Sequence, residues 1–142
     1  TRAAQLHEVG KMAIPDAVLT KPGPLEDSEW EFVRRHPLIG ERIIGSAAAL
    51  VPVARLVRSV GERWDGGGYP DGLAGEQIPP GSRVVALCAA YAAMVSERPH
   101  SVAMVPGRAL EELRRGAGVQ FDPEVVAAFE RVAAGRGLLT RD

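Results

Sequence analysis

The segment of residues 61–82 limits what this sequence can fold into more than any other part. Ten of its 22 residues are Gly or Pro, so we expect no regular element within it. On both sides, apolar residues recur at three- and four-residue spacing between Gly and Pro boundaries. No segment alternates apolar and polar residues long enough to predict a strand. The sequence therefore predicts an all-α chain that is interrupted by one long loop.

The predicted helices begin mainly at Pro and end before Gly or Pro, which are the usual helix boundary residues. They span residues 1–9, 15–19, 27–35, 37–50, 52–60, 84–95, 106–115 and 123–134. The helix at residues 84–95 is apolar on every side. We expect it to lie in the core or at a contact between two copies of the chain.

Composition excludes several classes of protein. The chain has 142 residues, enough for one domain, and its formal net charge of −1 gives no electrostatic support for binding nucleic acid or a membrane surface. The longest apolar run, residues 84–95, is too short to cross a bilayer. The single cysteine, Cys88, has no internal disulfide partner. We therefore expect a cytoplasmic protein.

Three short sites could carry chemistry. His7 and Glu8 are adjacent, and imidazole and carboxylate groups both bind first-row transition metals. Lys11 is four residues after His7 and can hold a phosphate oxygen. The alternative is that these are solvated surface residues. His36 is either a ligand or a complement to a helix dipole, and His100 is predicted to be a loop residue.

The loop contains the run Trp-Asp-Gly-Gly-Gly-Tyr-Pro-Asp-Gly at residues 64–72. Consecutive glycines allow positive φ angles and close backbone approach. We expect Trp64 and Tyr69 to be displayed at its ends. Because aromatic residues on loops are favoured interface anchors, contact with a ligand or partner is preferred here over a role as a spacer.

These motifs occur in an order that resembles the HD-GYP domain, a branch of the HD metal-dependent phosphohydrolases that hydrolyses cyclic di-GMP in bacteria. The resemblance covers residues 3–132. It implies a single domain over residues 1–142, formed as the C-terminal part of an HD-GYP helical bundle, with the first helices upstream of Thr1 and residues 61–82 as the GYP loop. Its main carriers are Leu6-His7-Glu8-Val9-Gly10-Lys11, Arg35-His36-Pro37, the Glu62-Arg-Trp-Asp-Gly-Gly-Gly-Tyr-Pro-Asp-Gly-Leu73 run and Gly118-Val-Gln-Phe-Asp-Pro123.

The resemblance also implies where metal ligands would lie. Family members bind two or three ions, commonly iron or manganese, through inward-facing His and Asp residues. Here the matching positions keep His7 and His36, and Glu8 stands in place of an Asp. The other ligand positions hold residues without a donor atom, namely Val60, Gly61 and Ala89, and a further family Asp is Ala92.

This residue set limits the chemistry that the chain can support. The two imidazoles and one carboxylate that remain can hold at most one weakly bound Fe, Mn or Zn ion. A two-metal centre needs bridging carboxylates and several imidazoles to clamp both reacting oxygens. The sequence therefore predicts no resident cofactor and no multinuclear catalysis.

The sequence accordingly favours a degenerate, inactive HD-GYP domain that acts as a regulatory or protein-interaction module in cyclic di-GMP signalling. The resemblance implies a GGDEF-type diguanylate cyclase domain as the partner, bound through Gly68, Tyr69 and Pro70.

Two alternatives stay open. One is a metal-dependent phosphodiesterase for cyclic di-GMP or pGpG with a reduced site, in which Lys11 and Arg98 hold phosphate. The other is a sensor that binds cyclic di-GMP without cutting it, through the same two residues and Arg83. A homodimer is also open.

Overall fold

The computed structural model describes residues 2–98 and 101–137, and this part of the chain contains seven α-helices. They are α1 (Arg2–Leu6), α2 (Asp16–Leu19), α3 (Asp27–Gly45), α4 (Val51–Arg58), α5 (Pro80–Val95), α6 (Pro106–Gly116) and α7 (Pro123–Gly135). Short 3₁₀ helices lie at Val9–Ala13, Ala48–Leu50 and Gly75–Gln77. Among the described residues, β structure is limited to isolated bridges. The all-α prediction is confirmed.

The last two helices begin where the sequence predicts. Pro106 and Pro123 each occupy the first helical turn, where the missing N–H of proline costs nothing. Asp122 caps α7 because its carboxylate accepts a hydrogen bond from the backbone N–H of Glu124 at 2.8 Å.

The predicted break at Pro37 is wrong, since α3 runs without interruption from Asp27 to Gly45. Proline has no N–H, so the carbonyl of Val33 loses its usual helical donor. The Nδ1–H of His36 donates to that carbonyl oxygen at 2.5 Å. A side-chain hydrogen bond thus replaces the missing backbone bond, and the helix continues.

The first helix is also shorter than predicted, because α1 ends at Leu6 and the chain tightens into the 3₁₀ helix Val9–Ala13. That helix crosses α3 at Gly10. A Cβ atom at Gly10 would lie 1.8 Å from the carbonyl oxygen of His36 and 2.8 Å from the backbone nitrogen of Gly40. Only a residue without a side chain allows this crossing.

Two clusters of buried apolar side chains form the core. The first joins α3 and α4 through Ile44, Ala54 and Val57, with Leu6 and Val9 packed against it. The second joins α5, α6 and α7 and consists of Leu87, Leu110, Leu113, Phe121 and Val126. The two clusters are linked by a hydrogen bond between α5 and α4, in which the buried hydroxyl of Ser82 donates to the carbonyl oxygen of Leu56 at 2.7 Å.

Helix α5 begins earlier than predicted, and only one of its sides is buried within the chain. Since α4 ends at Arg58 and α5 begins at Pro80, the segment without α-helix covers residues 59–79. Its part from residue 61 onward, here called the 61–79 loop, includes the 3₁₀ helix Gly75–Gln77. One side of α5 is buried, but Val84, Cys88 and Ala92 are exposed on the other. Burial within the chain is therefore limited to one side. None of the helices in residues 2–98 and 101–137 has the length and hydropathy that a membrane crossing requires.

We predict that Gly10→Ala will lower the free energy of unfolding by at least about 3 kcal/mol, because the new Cβ must push two backbones apart. Gly23→Ala is the matched control, since nothing lies within 4 Å of a Cβ there. Chemical denaturation of both variants measures the difference. Equal stability of the two variants would contradict the crossing.

Candidate functional site

The retained candidate residues all line one open cleft with a volume of about 1150 Å³. Its walls come from the α1 end, α3, the end of α4, the 61–79 loop and α5. His7, Glu8 and Lys11 lie on one wall, and His36 reaches the cleft from α3. The crossing at Gly10 brings these two groups together, as the sequence predicts.

Both histidines are held in the same tautomer. Nδ1–H of His7 donates to the carbonyl oxygen of Ala4 at 2.7 Å, as that of His36 does to Val33. Since a carbonyl only accepts, Nδ1 carries a proton in both rings, and the neutral form of each imidazole has its lone pair on Nε2. Burial lowers the pKa of His36, which favours the neutral imidazole. Both side chains therefore present a metal-binding or proton-accepting nitrogen.

Glu8 has an ammonium group as its nearest charged neighbour. Lys11 Nζ lies 2.7 Å from Glu8 Oε1, whereas Nε2 of His7 is 3.8 Å from the same oxygen. The hydrogen bond from Lys11 lowers the pKa of Glu8, and the charge of Arg98 acts in the same direction. This carboxylate is thus ionised and paired with a side chain of the protein itself.

Three positions to which the resemblance assigns further metal ligands line the same cleft but offer no donor atom. Val60, Gly61 and Ala89 all line it. Over residues 2–98 and 101–137, no three His, Cys, Asp or Glu side chains lie together in a group that could hold a metal ion. The residues present do not fit a multinuclear iron or manganese centre.

The prediction that Trp64 and Tyr69 are displayed at the loop ends is wrong. Both are half-buried. The Tyr69 ring meets the His36 ring edge-on, with 6.3 Å between centroids and 66° between planes, and burial raises the pKa of its phenol. Trp64 lies 5.6 Å below the guanidinium of Arg83. Tyr69 thus contacts α3, and Trp64 contacts α5.

Gly68 and Pro70 also face inward. A Cβ atom at Gly68 would lie 2.5 Å from the backbone nitrogen of Arg63, so this glycine permits close contact within the loop. The Tyr69–Pro70 peptide bond is cis. All three predicted partner-binding residues line the cleft and are half-buried.

The turn after Pro70 is held by a buried carboxylate. Glu62 is 5% exposed, and its two oxygens accept hydrogen bonds from the backbone N–H groups of Asp71 at 2.7 Å and Leu73 at 3.0 Å. Arg58 at the end of α4 holds both oxygens of Asp71 at 2.8 Å and reaches Glu41 of α3 at 2.7 Å. The loop is therefore fastened to both helices.

The structure does not bring every predicted phosphate-binding residue into the cleft. Arg98 is exposed and outside the lining, although its charge reaches Glu8. Arg83 is engaged by Asp122 at 3.2 Å and by the carbonyl of Ile78 at 2.8 Å, so the guanidinium is not free for a ligand. His100 lies outside the described residues.

Two site residues had no role in the sequence analysis. Trp30 lines the cleft from α3, one and a half turns before His36, and its place on the apolar face of the predicted helix was the available signal. Arg58 fastens the loop. No local pattern pointed to it, because its partners Asp71 and Glu41 are 13 and 17 residues away.

Comparison with known proteins identifies the family. A family model described as HD domain matches residues 1–125. The chain belongs to the HD-domain family. All-helical topology and the placement of the His7-Glu8 motif beside His36 agree with that membership.

Curated relatives share the sequence over most of this chain. It is 45% identical over 131 residues to the cyclic di-GMP phosphodiesterase response regulator RpfG of Xanthomonas campestris pv. campestris, covering 91% of this chain and 35% of that protein. It is 41% identical over 135 residues to a cyclic di-GMP phosphodiesterase of Vibrio cholerae, covering 90% of this chain and 27% of the relative. The chain thus spans about a third or less of these relatives.

A solved structure has the same fold. The cyclic GMP-AMP specific phosphodiesterase V-cGAP3 in V. cholerae superimposes with a TM-score of 0.72 at 21% identity, over 98% of this chain and 38% of that one. At this identity the similarity establishes the helical fold alone.

Proposed function

We propose that this chain is a catalytically inactive HD-GYP-like domain, which acts in cyclic di-GMP signalling as a regulatory or protein-interaction module in the cytoplasm. The observation that carries this proposal is the cleft itself, where Val60, Gly61 and Ala89 stand at family ligand positions without a donor atom. The names of the relatives supply the signalling molecule.

Charge supports the loss of hydrolysis. Two divalent ions need several anionic ligands to offset their mutual repulsion. Here Glu8 is the carboxylate beside the two histidines, and it is neutralised by the ammonium of Lys11 at 2.7 Å. An incoming cation would have to displace that ammonium, so affinity for even one ion is weak.

The apolar residues at the assigned ligand positions support a structural role for this domain. Without metal, carboxylates in the centre of a bundle would be costly to bury. Alanine and valine remove that cost, while the 61–79 loop is fastened by contacts through Glu62 and Arg58. A scaffold maintained in this way suits recognition more than catalysis.

We expect no release of pGpG or GMP from cyclic di-GMP when the purified chain is incubated with Mn²⁺, Fe²⁺ or Zn²⁺, because the donor set cannot clamp the reacting phosphate. The V. cholerae cyclic di-GMP phosphodiesterase serves as the positive control, and chromatography of the nucleotides measures the products. Metal-dependent turnover would overturn the proposal and establish the alternative below.

The alternative function is a phosphodiesterase for cyclic di-GMP or pGpG with a single-ion site. One observation favours it: His7 and His36 each bond a backbone carbonyl through Nδ1, and both line the cleft with Glu8. Because no three such side chains among the described residues already form a group that could hold a metal, these three would have to close around one Fe, Mn or Zn ion, and Lys11 with Arg98 would contact phosphate.

A non-hydrolysing cyclic di-GMP sensor is a weaker alternative. Arg83 is already engaged by Asp122, Ile78 and Glu76, which leaves Lys11 and Arg98 for the phosphates. Calorimetric titration with cyclic di-GMP separates this function from the module, which requires no nucleotide.

For the module, we propose a GGDEF-type diguanylate cyclase domain as the partner, bound at the face built by Gly68, Tyr69 and Pro70. Tyr69→Ala should weaken capture of such a domain at least tenfold, since the ring holds this face in shape. Glu97→Gln, on an exposed position outside the loop, is the matched control. Capture by Tyr69→Ala equal to that by the parent in a quantitative pull-down would count against this contact.

A further inference from the structure

The Tyr69 ring occupies the space that a side chain at position 61 would need. A Cβ atom at Gly61 would lie 2.6 Å from Cε2, 2.9 Å from Cδ2 and 3.0 Å from Cζ of that ring. Gly61 does not have a positive φ angle, so its backbone accepts other residues. The ring, rather than the backbone, restricts this position to glycine.

Several contacts keep the ring in place. The backbone N–H of Tyr69 donates to the carbonyl oxygen of Gly61 at 3.2 Å. On the N-terminal side, Gly68 lies against the backbone of residues 61–63. On the C-terminal side, Glu62 binds the backbone N–H groups of Asp71 and Leu73. The chain on both sides of the ring is therefore fixed to residues 61–63 at the start of the loop.

The same ring also meets His36, with 6.3 Å between centroids and 66° between planes. The ring is thus a neighbour of both a retained histidine and a position that has lost its donor. Both neighbours line the cleft, as does Tyr69 itself. A metal ion held jointly by His36 and a residue at position 61 would need the volume that the ring fills.

We propose that Tyr69 is an internal plug, whose ring fills the part of the cleft beside His36 and Gly61 and excludes a metal ion from it. This inference rests on the proposed loss of the metal centre, because an occupied centre and the plug exclude each other. The Gly-Tyr-Pro segment then serves first to seal the unused site, and it shapes any partner surface indirectly.

The test is a double-mutant cycle on thermal unfolding. Gly61→Ala should lower the unfolding midpoint by about 3 °C or more in the parent, because the new methyl group meets the ring. The same change should shift the midpoint by less than about 1 °C in a Tyr69→Ala background, where the ring is gone. Gly107→Ala, with nothing within 4 Å of its Cβ, should behave alike in both backgrounds.

A second measurement reports the ring directly and needs no activity. The imidazole proton signals of His36 should move in Tyr69→Ala, through loss of the ring current, and stay near the parent position in Tyr69→Phe. Tyr69→Leu replaces Tyr69→Ala in both measurements if the alanine variant does not fold. Equal effects of Gly61→Ala in the two backgrounds, or unchanged His36 signals without the ring, would overturn the plug.

The two proposals fail in different ways. If Gly61→Ala has the same effect in both backgrounds and cyclic di-GMP is not hydrolysed, the plug is ruled out and the inactive module stands. Turnover by the parent chain removes the inactive module, and with it the plug, whatever the coupling.

Discussion

The site depends on the contact between Gly10 and α3. The 3₁₀ helix Val9–Ala13 lies so close to α3 that the Cα hydrogen of Gly10 faces the carbonyl oxygen of His36, with no room for a methyl group. That contact sets Glu8 and Lys11 beside His36. The other wall of the cleft depends on Glu62, whose carboxylate binds the backbone of Asp71 and Leu73 within the 61–79 loop, and on Arg58, which holds Asp71 to α4. Backbone contacts thus build the cleft, independently of any ion within it.

A centre built to hold cations must balance its charges when the cations are gone. This chain does so in two ways. Val60 and Ala89 contribute no charge, and the remaining carboxylate of Glu8 is paired with Lys11 in an exposed ion pair that adds little to stability. The aromatic ring of Tyr69 then fills part of the volume between His36 and Gly61. Together these local features balance the charge of the cleft and fill part of its volume without a metal ion.

Local patterns predicted the helices that begin at Pro106 and Pro123, because a proline in the first turn acts within its own helix. They failed at Pro37, where continuation of α3 depends on one hydrogen bond from the His36 side chain. The family motifs grouped His7, Glu8, Lys11 and His36, which line one cleft, together with Arg98, which does not. The inward direction of Tyr69 could not be predicted, since it depends on the missing side chain of Gly61, eight residues away.

The central claim is that the cleft no longer traps paired cations. Crystals of the chain soaked in Mn²⁺ and measured for anomalous scattering test it directly. The account predicts no pair of peaks among His7, Glu8 and His36, with the Tyr69 ring still against Gly61. Two peaks bridged between the 3₁₀ helix Val9–Ala13 and α5, with Tyr69 displaced, would contradict it.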